Sequence, residues 1–129
     1  MTRDMDLIRQ ILLDLEALDQ RPGGVSHLIG ENFDIEGHDA DAIEYHLDLI
    51  EEAGLIERID TRPARGIAFR RLSWAGHDFL DATRDKTVWE KTKQTGKQAG
   101  GFSFDLAIGI AKEIIKQNAA KLLGGAIGL

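Results

Sequence analysis

Apolar residues recur along the chain in steps of three and four, interrupted by short alternating runs. Met5, Ile8, Ile11, Leu12, Leu15 and Leu18 predict an amphipathic helix over residues 3–19. Asp4 and Asp6 suit its positive end, and Arg21-Pro22-Gly23-Gly24 stops it. Phe33 and Ile35, two apart, predict a short strand over Asn32–Glu36. Asp39 is the expected N-cap of a second helix running to about Ala53, and Gly54 suits the left-handed position that closes it. Leu55–Asp60 and Ile67–Leu72 predict two strands joined at Thr61–Gly66, where Pro63 and Gly66 favour a turn. In the return strand Ile67, Phe69 and Arg71 alternate with Ala68, Arg70 and Leu72. Ser73 caps a third helix expected from Trp74 to about Gln94, with Ala75, Phe79, Ala82 and Thr83 on its inner side.

The stretch QTGKQAGG, Gln94–Gly101, has the composition of a flexible linker. Ser103 or Phe104 then opens a last amphipathic helix reaching about Leu123, followed by a glycine-rich tail. The expected organisation is a module over residues 1–94, a linker over 95–102, and an assembly helix with its tail over 103–129. Helix, short strand, helix, two-stranded wing and helix is the order of an α+β winged-helix module with an appended amphipathic helix. The small helix that props the second helix in such modules is either degenerate within Val25–Glu31 or absent.

Three blocks carry a family resemblance. They are Arg3-Asp4-Met5-Asp6-Leu7-Ile8-Arg9, Tyr45-His46-Leu47-Asp48-Leu49-Ile50-Glu51-Glu52-Ala53-Gly54-Leu55-Ile56, and Arg71-Leu72-Ser73-Trp74-Ala75-Gly76-His77-Asp78-Phe79-Leu80-Asp81-Ala82 continuing to Trp89. The chain thereby resembles an uncharacterised family of small bacterial and prophage winged-helix proteins akin to the YjcQ-like proteins. The second and third blocks are also similar to winged-helix transcription regulators in general. The resemblance covers roughly residues 1–95 and implies the fold without implying an activity.

At 129 residues the chain is one domain with room for an appendage. It has no cysteine, which excludes disulfides, thiol nucleophiles and cysteine-zinc sites. Its N-terminus has aspartates where a secretory signal needs an apolar run, and no uninterrupted apolar stretch of about 18 residues occurs. A cytoplasmic protein is expected. The net charge of −6 conceals a split. Residues 1–57 hold 3 basic and 15 acidic side chains, residues 58–71 hold five arginines and one aspartate, and residues 72–129 hold 8 basic and 6 acidic.

That split bears on nucleic acid. The outward face of the second helix is Asp41, Glu44, Asp48, Glu51 and Glu52, without the Arg, Lys, Asn or Gln that base readout needs. The fold's usual reader is therefore repelled by phosphate. Arg58, Arg62, Arg65, Arg70 and Arg71 on the wing suit a nucleic-acid backbone, an acidic partner, or the protein's own acidic face.

No constellation nominates an enzyme. His27, His38, His46 and His77 make no HExxH pattern, and His46 lies on the apolar side of its helix as a core histidine. Ser26, Ser73 and Ser103 sit in no nucleophile elbow, and the paired carboxylates are expected on a solvated helix face where nothing desolvates them. No catalytic, metal or cofactor residue is assigned, and no small-molecule substrate is evident. Trp74 is expected in the core or at the domain edge; Trp89, in a mostly polar stretch, is either packed back on the first helix or a partner anchor.

The last helix cannot bury its apolar face alone. Phe104, Ile108, Ala111, Ile115 and Leu122 mark a surface that folds back, pairs with another copy or protein partner, or meets a membrane, where Lys112, Lys116 and Lys121 suit anionic lipid. The expected function is a non-enzymatic interaction or regulatory module that self-associates. A DNA-binding regulator working through the arginine wing, and a membrane-docked protein working through residues 103–129, are the alternatives.

Overall fold

The computed structural model describes residues 1–98 and 103–126. These form five α-helices and one three-stranded antiparallel sheet, an α+β arrangement. They divide into two compact units, Met1–Leu80 and Asp81–Leu129, so the division falls inside the helical stretch after Trp74 and not at the expected position after residue 94.

In the first unit α1 (Met5–Glu16) is opened by Asp4, whose carboxylate accepts the N–H groups of Asp6 and Leu7. Met5, Leu7, Ile8, Ile11, Leu12 and Leu15 are buried along one face. The helix ends before Leu18, which is left exposed. The first strand is not at Asn32–Glu36. β1 is Ser26–Leu28, which pairs antiparallel with a later strand, β3 (Ile67–Leu72). Asn32 instead uses its side-chain oxygen to accept the N–H of Ile29 at 2.8 Å, beside a single 3₁₀ turn over Gly30–Asn32. Such local bonding competes with a strand ladder. Val25–Glu31 therefore holds β1 and the start of this turn, and no α-helix.

α2 (Ala40–Glu52) is capped as expected: Asp39 accepts the N–H of Ala42 at 2.8 Å, and Gly54 has φ +73. Ile43, His46, Leu47 and Ile50 face inward. His46 is fully satisfied. Its Nε2 accepts the N–H of Asp4 at 2.8 Å and its Nδ1 donates to the carbonyl of Ala42 at 2.7 Å, tying the start of α1 to α2.

β2 (Ile56–Arg58) pairs antiparallel with β3, giving the sheet order β1-β3-β2. Ser73 accepts the N–H of Gly76 and so caps α3 (Trp74–Thr83). Gly76 lies against Leu55, where a Cβ would stand 2.2 Å from the carbonyl oxygen. This orients the helix. Phe79 and Leu80 are buried, whereas Trp74 is 84% exposed and Ala75 is exposed as well. Trp74 is thus not a core residue; at 100° per residue it stands about 140° from Phe79 around the helix.

The second unit begins within α3, and the expected single helix breaks after Thr83. Asp85 accepts the N–H of Val88 at 2.9 Å and starts α4 (Lys86–Gln98) as a new N-cap. α4 buries Val88, Trp89, Thr92 and Gly96. Residues 95–98 of the expected linker are therefore helical, because burial of this face outweighs the roughly 1 kcal/mol that glycine costs a helix. Residues 99–102 of that linker lie outside the described residues. α4 packs on α5 (Phe104–Ala126), whose start Ser103 caps through its hydroxyl to the N–H of Leu106. Ala82, Val88 and Ala111 form the core here, with Ile114 packed against it.

Gly66 seats the hairpin between β2 and β3. It has φ +70, and a Cβ would stand 2.0 Å from the Leu28 carbonyl oxygen. Gly66→Ala is expected to destabilise the chain by about 2 kcal/mol or more, since it adds backbone strain to a backbone clash. Urea unfolding of the full chain checks this; a change within about 0.5 kcal/mol would contradict the seat.

Candidate functional site

The β2–β3 hairpin folds over the acidic face of α2. Arg65 extends one guanidinium to two carboxylates: Nη2 lies 2.7 Å from Glu31 and 2.9 Å from Glu44, and Nε lies 3.0 Å from the second oxygen of Glu44. Glu44 also accepts the N–H of Gly30 at 3.0 Å, so it joins the 3₁₀ turn, α2 and the hairpin tip. The tip's backbone is held as well, with His27 Nε2 3.0 Å from the Arg65 carbonyl oxygen. In the same connection, Arg62 Nε meets Glu51 at 3.2 Å. An open cleft of about 770 Å³ remains between hairpin and helix, bordered by Glu44, Asp48, Glu51, Glu52, Arg58, Arg62 and Arg65.

Charge in this cleft is unevenly satisfied. Hydrogen bonds from Arg65 hold the Glu44 carboxyl below its ordinary value, and the Gly30 N–H adds to this. Arg65 lowers Glu31 likewise. The two carboxylates raise Arg65 in turn, Glu44 more than Glu31. Asp48 runs the other way, raised first by desolvation and then by the charges of Glu51 and Glu44, so the face is not solvated throughout as its sequence pattern suggests.

The five arginines of residues 58–71 thus separate. Arg62 and Arg65 are turned onto the protein's own acidic helix. Arg71 pairs across the sheet with Glu57. Arg58 and Arg70 engage in no ion pair among the described residues. They line, with Arg71, a second groove of about 680 Å³, and Arg58 borders the first cleft as well. Arg21, from the α1–β1 connection, joins them there. Arg21 stands inside a helix-stop signal, and its one distinguishing mark in the sequence is being one of three basic residues among the first 57.

The residues expected on the partner face of α5 divide too. Ala111 is completely buried, packed with Ala82 and Val88, and is unavailable to any partner. Phe104 and Ile108 are half-buried. Ile115 is 40% and Leu122 75% exposed, and Leu123, not singled out before, is 65% exposed. Trp89 is 1% exposed, so it is not a surface anchor; its place on the buried side of α4 accounts for it. Among the described residues no group of three His, Cys, Asp or Glu side chains is arranged to hold a metal ion, and no helix is long and apolar enough to cross a membrane.

A lowered carboxyl stabilises the fold above its ordinary value of 4.5 and loses that contribution as pH falls through the folded value. A carboxyl raised above 3.8 does the reverse, disfavouring the fold once pH rises through the folded value. Arg65→Gln is therefore expected to lower stability at neutral pH and to have little effect at about pH 2, whereas Asp48→Asn should raise stability at neutral pH only. Denaturant unfolding at both pH values checks both signs. An Arg65→Gln effect independent of pH would contradict the pairing.

A family model described as "Hypothetical protein (DUF2513)" matches residues 2–103. A protein of Haemophilus influenzae (strain ATCC 51907 / DSM 11121 / KW20 / Rd), described as an uncharacterized protein, is 36% identical over 125 residues, which is 95% of this chain and 99% of the relative. No solved structure matches. On the span of that family match, supported by a relative of nearly equal extent, the chain belongs to the DUF2513 family of hypothetical proteins.

Proposed function

We propose that the protein is a non-enzymatic winged-helix interaction module that associates with a second copy of itself through the projecting end of α5. The order α1, β1, α2, β2, β3, α3 and the sheet order β1-β3-β2 support the winged-helix reading of Met1–Leu80. The 3₁₀ turn at Gly30–Asn32 stands in place of the small prop helix. The likeness of the three sequence blocks to bacterial and prophage winged-helix proteins points the same way, and a cytoplasmic setting belongs to the same proposal.

The observation that carries the self-association is the exposed apolar end of α5. α4 has 13 residues and α5 has 23, about 20 Å against about 35 Å, so α4 cannot cover its partner. Packing on α4 ends near Ile114, and every side chain from Ile115 to Leu123 is exposed. Ile115, Ala119 and Leu122 recur at i, i+4 and i+7 and form one stripe, with Leu123 at its edge. Such a stripe is self-complementary under two-fold pairing, and Ala119 allows close approach. Lys116 and Lys121 flank it, and a second copy of this chain, net charge −6, brings carboxylates to meet them.

Base reading by α2 does not fit this proposal, because the outward side chains there are carboxylates and two of them, Glu44 and Glu51, are held by Arg65 and Arg62.

Sedimentation equilibrium of the full chain at about 100 μM is expected to give twice the 14.3 kDa of one chain, and Leu122→Asp with Leu123→Asp is expected to give a monomer. A monomeric wild type, or a dimeric double variant, would overturn the proposal. A monomer that floats with anionic vesicles would replace it with docking on a lipid surface.

A further inference from the structure

The second groove gathers positive charge in a chain that has little to spare. The protein holds 22 acidic and 16 basic side chains, yet four arginines line this groove and Glu57 is its single carboxylate. A β-bulge makes the gathering possible. Glu57 opposes Arg71 and the next residue, Arg58, opposes Phe69, which leaves Arg70 as the extra residue on β3. Without the bulge, Arg71 would follow Ile67 and Phe69 toward the core. With it, Arg70 and Arg71 are both exposed and Leu72 is buried instead. Two consecutive guanidiniums therefore stand on one side of the strand, joined by Arg58 from β2 and Arg21 from the α1–β1 connection. Arg21, Arg58 and Arg70 engage in no ion pair among the described residues.

We infer that this groove binds the phosphate groups of a single-stranded nucleic acid. Arginine forks recognise phosphate and carboxylate alike, but the lining discriminates between their carriers. Apart from Pro22 it offers no aliphatic or aromatic side chain, so it lacks the apolar anchors on which an acidic protein partner depends. Phosphates need none; charge-assisted hydrogen bonds hold them and carry no sequence information. A single strand fits better than a duplex. Arg58 borders both clefts, so the groove adjoins the cleft lined by the carboxylates of α2, toward which the second row of phosphates of a duplex would extend. This inference does not rest on self-association through α5.

Fluorescence anisotropy of the full chain with a labelled oligothymidylate of roughly 15 nucleotides at low salt tests it. Arg21→Gln with Arg70→Gln is expected to weaken binding at least tenfold and to make the slope of log K against log salt shallower by about 1.4, two contacts at about 0.7 each. The charge-matched control Arg3→Gln with Lys112→Gln should change affinity less than twofold. Inorganic pyrophosphate and a labelled trinucleotide separate the sources of phosphate. A steep loss of affinity from 15 nucleotides to three, with pyrophosphate a poor competitor, supports a strand. Equal binding of the trinucleotide, with pyrophosphate competing, assigns the groove to a nucleotide-sized phosphate ester and overturns the strand. No binding by the wild type, equal losses in the groove and control variants, or tighter binding of a duplex of the same length would overturn the inference as well.

Discussion

The close approach of Gly66 to the Leu28 carbonyl determines the shape of the working surface of the first unit. No side chain fits there, and φ +70 is a conformation glycine adopts without strain. With the backbone seated on β1, the preceding residue, Arg65, is placed above Glu31 and Glu44. Its ion pairs are half-exposed, so their contribution to stability is modest. Their effect is geometric. They close the hairpin tip over α2 and commit Glu44 to both Arg65 and the Gly30 N–H.

That closure changes the meaning of the arginine cluster. Five arginines in fourteen residues suggest one basic wing, yet the fold sends them to two places. Arg62 and Arg65 pair with two carboxylates of an acidic helix, Glu51 and Glu44, and Asp48 beside them is raised first by burial and then by the charges of Glu51 and Glu44. Arg70 and Arg71 line a second groove together with Arg58, which borders both, and Arg21 adds a fourth guanidinium there. The acidic half of the sequence and its basic segment are thus neither separate fields nor simply cancelled. They make a partly self-paired cleft beside a groove with positive charge to spare.

Much of this was legible where one residue's local chemistry decides the outcome. Asp39, Gly54, Ser73 and Ser103 mark helix boundaries through capping groups, and the structure places boundaries at each. His46 reads as a core histidine because its neighbours on the helix are apolar, and it is one. Long-range pairing was not legible. β1 is a strand because β3 lies beside it, and its three residues have no pattern of their own. The bulge at Arg70 depends on Leu72 being drawn inward across the sheet, so strict alternation misplaced Arg71. The break before α4 did have a signal in Asp85, but apolar periodicity reads straight through it. On α5, the pattern identified an apolar face but not how much of it α4 covers. That depends on the unequal lengths of the two helices, and it removes Ala111 from the exposed stripe and adds Leu123.

Arg65 closes the hairpin tip onto α2 through Glu44 and onto the 3₁₀ turn through Glu31. Site-resolved carbon-13 NMR titration of the glutamate carboxyls in the full chain reads this directly, at the two groups concerned. The account predicts that Glu44 and Glu31 both titrate below the ordinary value of 4.5, and that both move back toward it in Arg65→Gln. Ordinary titration of both groups in the wild-type chain, unchanged by the substitution, would contradict it.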